Sequence, residues 1–570
     1  FNQLSNNKGV WLLKISKVVT GIVLLGVVLT GSFFYSNKSH QKTAKKDFKL
    51  LSTSRIKKNI GSRLVDTRQK NQGKLTKKYR TTVKANKFTL DEPYVKLNPY
   101  QTSPLSALII FKTKSAAKVA YTIEGKTANT SISNQVNGKY SKEHQVPLVG
   151  LYAEYNNRIT LKATYRNGIT DIKHLTIKTG QLPEYVSKAK VVVSKKDTDQ
   201  MELGKNKLTV FNRTTKEPFA VDSNGEVRWY STLYSQHMLK KWTKGHLMML
   251  TKSNQSDETY NDLIETDLLG RIYKEFKFSA KTGSTDATKS EVQYTTLIHH
   301  DLTRLPNGNI LATVSDGSKY YKEDTLAEIS YKTGKVVKVI DFKRILPKSM
   351  WKSFVRGDDG KMDWFHQNSV DYDKKDHSIL ISSRNQDLIM KLDYRTNKIK
   401  WIYSGKKRQS WPPKYRKYLL KRAKKTTITG GQHGLYLLNQ EKGIENIILY
   451  NNNISVTNGN QKTSGKYSEG IIYKVNDKQK TITQSWSYGK NLGKQNYTAV
   501  IGFAQKLENG NVLLDFGYKN GGKESNIIEV NSKGQQVWNA TVKNASIKAY
   551  VYRAYRLDFY PPNYSFNVNQ

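Results

Sequence analysis

Cysteine is absent from all 570 residues. That excludes disulfide frameworks, thiolate zinc sites, iron–sulfur ligation and thiol nucleophiles, and it leaves any chemistry to His, Arg, Lys, Tyr, Ser, Thr and carboxylates. Acidic residues are scarce as well: 46 Asp+Glu face 95 Lys+Arg, a formal net charge of +49. Such a surplus invites a nucleic-acid reading, but the Lys are spread along the chain rather than clustered. Binding to nucleic acid is therefore not expected, and the charge reads as compositional bias with attraction to an anionic surface or substrate as its functional share. One long apolar run is present. Residues 18–35, VVTGIVLLGVVLTGSFFY, are uncharged and follow Lys8, Lys14 and Lys17. The run is long enough to span a bilayer as a helix, and no small-x-small cleavage site follows it. Residues 1–36 are thus expected to be an uncleaved signal anchor that holds the protein on the extracellular face of a cell membrane; cleavage would leave it secreted.

What is present is enough to fold: 37% of residues are hydrophobic and 11% aromatic. Residues 37–92 are basic and lack a sustained apolar period, which suits a flexible stalk. From 93 to 183 short alternating runs, such as Lys118-Val119-Ala120-Tyr121-Thr122-Ile123, are separated by turn signals at Gly125, Gly138 and Gly168. They predict a small β-sandwich, with His144 and His174 structural or exposed.

Residues 184–570 repeat. A strand, a polar turn and a strand recur six times, entered by Asp222, Asp267, Ser330, Asp393, Asn476 and Asn531. A second hairpin lies between copies, in Leu305-Pro306-Asn307-Gly308-Asn309 and Leu507-Glu508-Asn509-Gly510-Asn511, and more loosely from Asp373 on. Two hairpins per repeat make four strands, and six repeats close a ring without exposed edges. The expected fold is all-β: a six-bladed β-propeller behind the small sandwich.

Histidines recur at one place in successive repeats. His299 and His300 precede one hairpin, His366 the next, and His433, within Gly430-Gly431-Gln432-His433-Gly434, the third. Matched positions in a propeller converge on its axis, so these side chains are candidates for one site. Imidazoles suit a metal. Arg384, at the end of the strand after His366, argues instead for a tetrahedral oxyanion, which a guanidinium grips with parallel hydrogen bonds. Asn368, two residues after His366, shares its strand face and adds a neutral donor.

These motifs resemble a known family. Asn98-Pro99-Tyr100, His299-His300-Asp301, Trp364-Phe365-His366-Gln367-Asn368, Ser382-Ser383-Arg384-Asn385-Gln386 and Gly431-Gln432-His433-Gly434 occur in the order seen in the bacterial arylsulfate sulfotransferases. The resemblance implies transfer of a sulfuryl group from a phenolic sulfate ester to an acceptor phenol, without a nucleotide sulfate donor, a metal or an organic cofactor. It places the nucleophile, sulfated in a ping-pong cycle, on His433. It puts partner histidines on His366 and on His299 or His300, the sulfuryl-binding Arg on Arg384, and substrate contacts on Thr498, Tyr497 and the Tyr552-Arg553-Ala554-Tyr555-Arg556 run, Tyr555 among them, with Asn368 beside them as a further donor. Members from Gram-negative periplasms carry a disulfide before the nucleophile. Here residues 405–428 have no Cys and form a basic stretch, read either as a solvated loop or as a cationic rim drawing anionic substrates inward.

The partners expected are the phenolic donor and acceptor, a membrane through residues 18–35, and a second copy in a homodimer. Two other functions remain open at this point: a sulfate or phosphate ester hydrolase on the same anion site, and a propeller module that binds anionic envelope polymers without turnover.

Overall fold

The computed structural model describes residues 50–570, apart from 205, 257–258, 279–296, 353, 545–548 and 562–563, and apart from the Asn137 side chain. The expected anchor at 1–36 lies outside the described residues. Among the described residues no helix is long and apolar enough to cross a membrane.

The chain is all-β in its main body, and the described strands fall into seven sheets. Six of them occupy the repeat region, and each is built on four antiparallel strands; the second, fifth and sixth carry a fifth strand on the outer edge, which in the fifth is Lys421–Arg422, paired in parallel. The second to fifth are simple meanders. They begin with the strands Ser235–Lys241, Ile298–Arg304, Gln367–Asp373 and His433–Glu441. The sixth begins with Phe503–Lys506 and receives Lys190–Lys196 as an added edge. The first joins the beginning and the end of the repeat region, because Val551–Asp558 pairs antiparallel with Lys207–Arg213. The leading strands touch in succession from sheet to sheet, and Phe503–Lys506 in turn touches Val551–Asp558, which touches Ser235–Lys241.

The turn chemistry explains this regularity. All six turn-entry residues lie between the third and fourth strands of their sheets. Each caps its turn with a side-chain oxygen: Asp222 accepts from the Asn224 and Glu226 amides, Asp267 from Arg271, Ser330 from Thr333, Asp393 from Thr396, Asn476 from Gln479 and Asn531 from Lys533 and Gln535. The Asn-Gly-Asn hairpins lie between first and second strands. Adjacent sheets are tied across their faces by buried amides. Gln367 donates to the Val314 and Thr325 carbonyls of the preceding sheet, and Gln432 does the same to Ser383 and Leu388.

The expected sandwich is instead one continuous five-stranded sheet. Its long strands Ser106–Ile123 and Ile132–Val149 pair along most of their length. The first half of Ser106–Ile123 takes Tyr94–Leu97 on its other edge, and the second half takes Asn156–Tyr165. Exchanging partners midway lets one sheet do the work of two. Its apolar face packs into a core shared with the first repeat sheet and the C-terminal residues Phe559, Tyr560, Phe566 and Val568. Arg228 from the repeat region locks the junction, donating to the Gly150 and Thr130 carbonyls and the Tyr152 hydroxyl.

The expected stalk needs correction from residue 50 onward. Thr53–Ile60 is a helix capped by Ser52, which accepts from the Arg55 amide, and by Gly61 in the left-handed region. Arg63–Val65 pairs antiparallel with the outer edge of the second repeat sheet. Thr67–Lys84 is a second helix. Gln72 on it donates to the Tyr100 and Gly270 carbonyls and accepts from the Ile272 amide, bridging the two folded regions. The segment is a strap. It escapes a hydropathy reading because only a few apolar residues, of which Ile56, Ile60, Tyr79 and Val83 are buried, are set in a Lys- and Arg-rich background, and polar side chains make many of the remaining contacts.

Ile60 is fully buried against the repeat region. Ile60→Ala is expected to destabilise the folded chain by about 2–5 kcal/mol, read as a lower urea midpoint; a free stalk would leave the midpoint unmoved.

Candidate active site

Register breaks create the site. In the second repeat sheet the pairing skips from Ser235 to Leu239, and in the third from Ile298 to Leu302, so in each case three residues oppose one. Such bulges re-aim side chains. The surplus holds His237 in one sheet and His299 and His300 in the next. Thr313 fills the second bulge, its hydroxyl accepting from the Asp301 amide and donating to the His299 carbonyl. His237, His300 and His366 all adopt left-handed backbones, with φ of 56°, 52° and 52°. Non-glycine residues rarely adopt this conformation, and where they do the strain tends to cluster at functional sites.

The rings converge. His300 stacks on His237 with centroids 4.5 Å apart, and its ring lies 4.7 Å from His366. Its Nδ1 meets the Tyr552 hydroxyl at 3.0 Å and its Nε2 meets Glu323 at 3.0 Å. His366 presents Nδ1 to two carboxylates, Asp363 at 2.6 Å and Glu323 at 2.8 Å. Of the adjacent pair, His300 is the one bonded into this network. His299 packs edge-on against it at 4.8 Å, with both ring nitrogens buried.

His433 begins the fifth sheet and is buried. Its Nδ1 lies 2.7 Å from Oδ1 of Asn452. The Asn452 amide nitrogen donates to the Thr498 and Ile501 carbonyls, so its oxygen must be the atom facing the ring. An oxygen there requires a proton on Nδ1, which leaves the lone pair on Nε2. Two glycines make the approach to His433. Gly431 has φ 59°, and a Cβ there would meet Ile454 at 2.4 Å; Gly434 has φ 64°, and a Cβ there would meet the Phe503 ring at 2.6 Å. The Asp387 carboxylate accepts from the Gly431 amide and from those of Thr457, Asn458 and Gly459, fixing the same stretch from the other side.

The electrostatics divide the histidines. Burial and then the Arg384 guanidinium hold His433 well below its ordinary range, so it stays neutral. Burial also lowers His300 and His237, and takes His299 down to about 3. In His366 burial opposes the charge, but Asp363 and Glu323 outweigh it and push the ring up to about 9. The same imidazoles, His366 first, carry Glu323 well below the usual carboxylate range against the effect of burial. The cluster therefore holds one imidazolium, on His366, among neutral rings.

Arg384 is buried and gives one side-chain hydrogen bond among the described residues, from Nη1 to Asn385 at 2.8 Å; the remaining guanidinium donors are open to a ligand. Asn368 is placed differently from the expected oxyanion donor: its amide donates to the Gln432 carbonyl at 2.8 Å and holds the peptide before His433. Thr498 likewise acts through its backbone carbonyl on Asn452, while its hydroxyl pairs with Tyr450 at 2.6 Å. Tyr497 is half-buried within electrostatic reach of Arg384. Tyr555 packs on Phe503 in the core, and Tyr552 is the tyrosine that meets the histidines.

The sequence reading missed His237, Glu323, Asp363 and Asn452. For His237 there was a signal, since Ser235-Gln236-His237 precedes a hairpin just as His299-His300 does. The two carboxylates lie in connections outside the hairpin repeat, and Asn452 is one of three consecutive Asn, so their spacing carried nothing.

Ligand atoms of His299, His300 and Glu323, and of Glu323, Asp363 and His366, lie within 4.8 Å of one another, donor sets that suit a divalent first-row ion. Glu323 is already committed, accepting from two imidazoles. A third group, Asp373, Asp376 and Glu445, surrounds the Lys391 ammonium at 2.8, 3.0 and 2.6 Å, so a cation is in place there. The basic stretch at 405–428 is ordered by Trp411 and Tyr415, which are buried, while Lys407, Arg408, Lys414, Lys417, Lys421 and Lys424 face solvent.

A raised pKa is a stability statement. The His366 ring gains its charge partners on folding, so its contribution is complete below about pH 6.5 and is lost as the pH rises through about 9. The melting temperature of Asp363→Asn is expected to fall furthest below that of the native chain under pH 6.5, with the gap closing toward pH 9; a gap independent of pH would contradict the assigned charge.

Comparison with known proteins bears on this geometry. The arylsulfotransferase (ASST) family model matches residues 191–553, and the arylsulfotransferase Ig-like domain model matches residues 94–180. The arylsulfate sulfotransferase AssT of Escherichia coli O6:H1 (strain CFT073) is 24% identical over 525 residues, covering 74% of this chain and 84% of the relative. The AssT of Lelliottia amnigena is 22% identical over 534 residues, with the same coverage of 74% and 84%. Among solved structures, the periplasmic gluconolactonase of Pseudomonas aeruginosa is similar over 75% of this chain and 96% of its own, at 9% identity and a TM-score of 0.25. The family match takes in more than half of the chain and all five clustered histidines, and the chain belongs to the arylsulfotransferase (ASST) family.

Proposed function

We propose that the chain is an arylsulfate sulfotransferase that moves a sulfuryl group from a phenolic sulfate ester to an acceptor phenol in two steps through His433. One observation carries this reading: Nδ1 of His433 is occupied by the oxygen of a fixed amide, which leaves a neutral Nε2 beside the open donors of Arg384. Family membership supports sulfuryl transfer as the chemistry.

In the first step the Nε2 lone pair attacks sulfur, the sulfur–oxygen bond to the aryl group breaks, and the electron pair leaves with the phenolic oxygen. Arg384 holds the sulfuryl oxygens as charge shifts over them. His366, the charged ring, gives its Nε2 proton to the departing phenolate. In the second step the acceptor phenol returns a proton to His366 as its oxygen attacks sulfur, the sulfur–nitrogen bond breaks, and neutral His433 is restored. Asn452 matters in both directions. A proton kept on Nδ1 makes the sulfated ring an imidazolium, and a neutral imidazole is then the leaving group.

The succession of six sheets, each built on four antiparallel strands, with leading strands that touch from each to the next, supports a six-bladed β-propeller with the histidines at its axis. The apolar run at 18–35 supports an anchored enzyme outside the cytoplasm.

Incubation with an aryl sulfate is expected to raise the intact mass by one sulfuryl group, and addition of phenol to remove it. His433→Ala is expected to lose both the adduct and, by at least about a thousandfold, the transfer rate. Free sulfate as the sole product, whether or not phenol is present, would instead mark a hydrolase.

A further inference from the structure

We propose that Glu323 and Asp363 are positioning residues that make His366 the general acid for the departing phenol, and that they thereby suit the chain to sulfate esters of weakly acidic phenols. The proposal rests on the exchange through His433 described above.

Geometry carries it. Both carboxylates meet the same atom, Nδ1 of His366, so that ring turns Nε2 toward the other side of the site. Each carboxylate is itself held by its backbone. The Glu323 amide donates to Ser315 and its carbonyl accepts from the Gln367 amide, while the Asp363 carbonyl accepts from the Asn385 side chain. Glu323 keeps a left-handed backbone with φ 53°, a conformation that costs energy in a non-glycine residue. That bend brings one carboxylate to two imidazoles, at 3.0 Å from His300 and 2.8 Å from His366. His300 has one carboxylate and His366 has two, so the shared proton belongs to His366. Other charged or titratable groups that act on this ring or its carboxylates include His237, His299, His300, His433, Tyr552, Arg384 and Lys322. Arg384 and Lys322 are cations that disfavour the charge, which is the reason a second carboxylate is needed.

The consequence is chemical. When the aryl–oxygen bond to sulfur breaks, a nitrophenolate carries the electron pair without help. An unsubstituted phenolate, whose conjugate acid has a pKa near 10 like that of tyrosine, is a far poorer leaving group and needs the proton on Nε2 of His366. After that transfer His366 is neutral, its Nδ1 proton still held by the carboxylates, and the acceptor phenol restores the charge. A site lacking the two carboxylates would still serve activated donors and would fail with ordinary phenols.

The test compares two donors, 4-nitrophenyl sulfate and phenyl sulfate, with one common acceptor phenol, using the full chain, Glu323→Gln and Asp363→Asn. Both variants are expected to lose about 100-fold more kcat/KM for phenyl sulfate than for 4-nitrophenyl sulfate, a ratio that in a two-step exchange reports the departure of the donor phenol alone. The basic limb of the phenyl sulfate pH profile should also move to lower pH in each. Equal losses with the two donors, or an unmoved basic limb, would overturn the proposal and reduce the pair to a structural role. Each carboxylate reaches Nδ1 independently, so either variant gives the answer if the other does not fold. His433→Ala is run in parallel: transfer retained in that variant removes the exchange itself, an outcome distinct from equal losses in the carboxylate variants.

Discussion

Asp301, the residue after His300, gathers four of the repeat sheets. Its carboxylate accepts from Arg553 on the C-terminal strand at 3.0 Å, from Lys240 in the second sheet at 2.9 Å, and from the Val370 amide of the fourth sheet at 3.1 Å. Burial acts to raise this carboxyl, but Arg553 and Lys240 outweigh it and the group stays ionised. A buried pair of this kind adds little net stability against an apolar replacement, whereas removing one partner strands the other. What it supplies is registration. Arg553 also donates to the Asn368 carbonyl, and the Asn368 amide holds the Gln432 carbonyl next to His433. A continuous path of hydrogen bonds thus runs from the closing strand to the nucleophile proposed here, and the bulge that aims His300 is pinned at its end by Asp301.

On that frame the site concentrates strain and charge in few residues. Three histidines and Glu323 hold left-handed backbones, and the His299 ring is buried beside them. Neutral rings surround one charged ring, because burial lowers every imidazole in the cluster and two carboxylates reverse it at His366 alone. The dense Lys and Arg surface has little to do with this. The cations that matter near His433 are Arg384, with open donors, and His366.

Much of the fold was legible because turn chemistry is local. Asp222, Asp393 and Asn531 announce their hairpins by accepting amides two to four residues on, and six such turns set the number of sheets. Two parts were not legible. The strap at 53–84 buries few apolar side chains and makes much of its contact through Gln72 and Arg68, so its composition resembles a solvated linker. The N-terminal domain shows the alternation of a sandwich, yet alternation does not say whether long strands exchange partners midway, as Ser106–Ile123 does.

For the site, the sequence alone determined which residues are brought near one another: His299, His300, His366 and His433 recur at the entry of successive repeats, and Arg384 ends a strand of the same repeat as His366. Repetition of a local pattern is enough for that, since equal positions in equal units face alike. Only the tertiary structure decided what each one does. Whether a ring is charged depends on carboxylates that reach it from another sheet or from a loop, as Glu323 reaches His366, and a tautomer depends on which atom of a distant amide is turned toward it, as Asn452 is toward His433. Proton affinity and hydrogen-bond direction are set across space over a few ångströms, and no spacing along the chain records them.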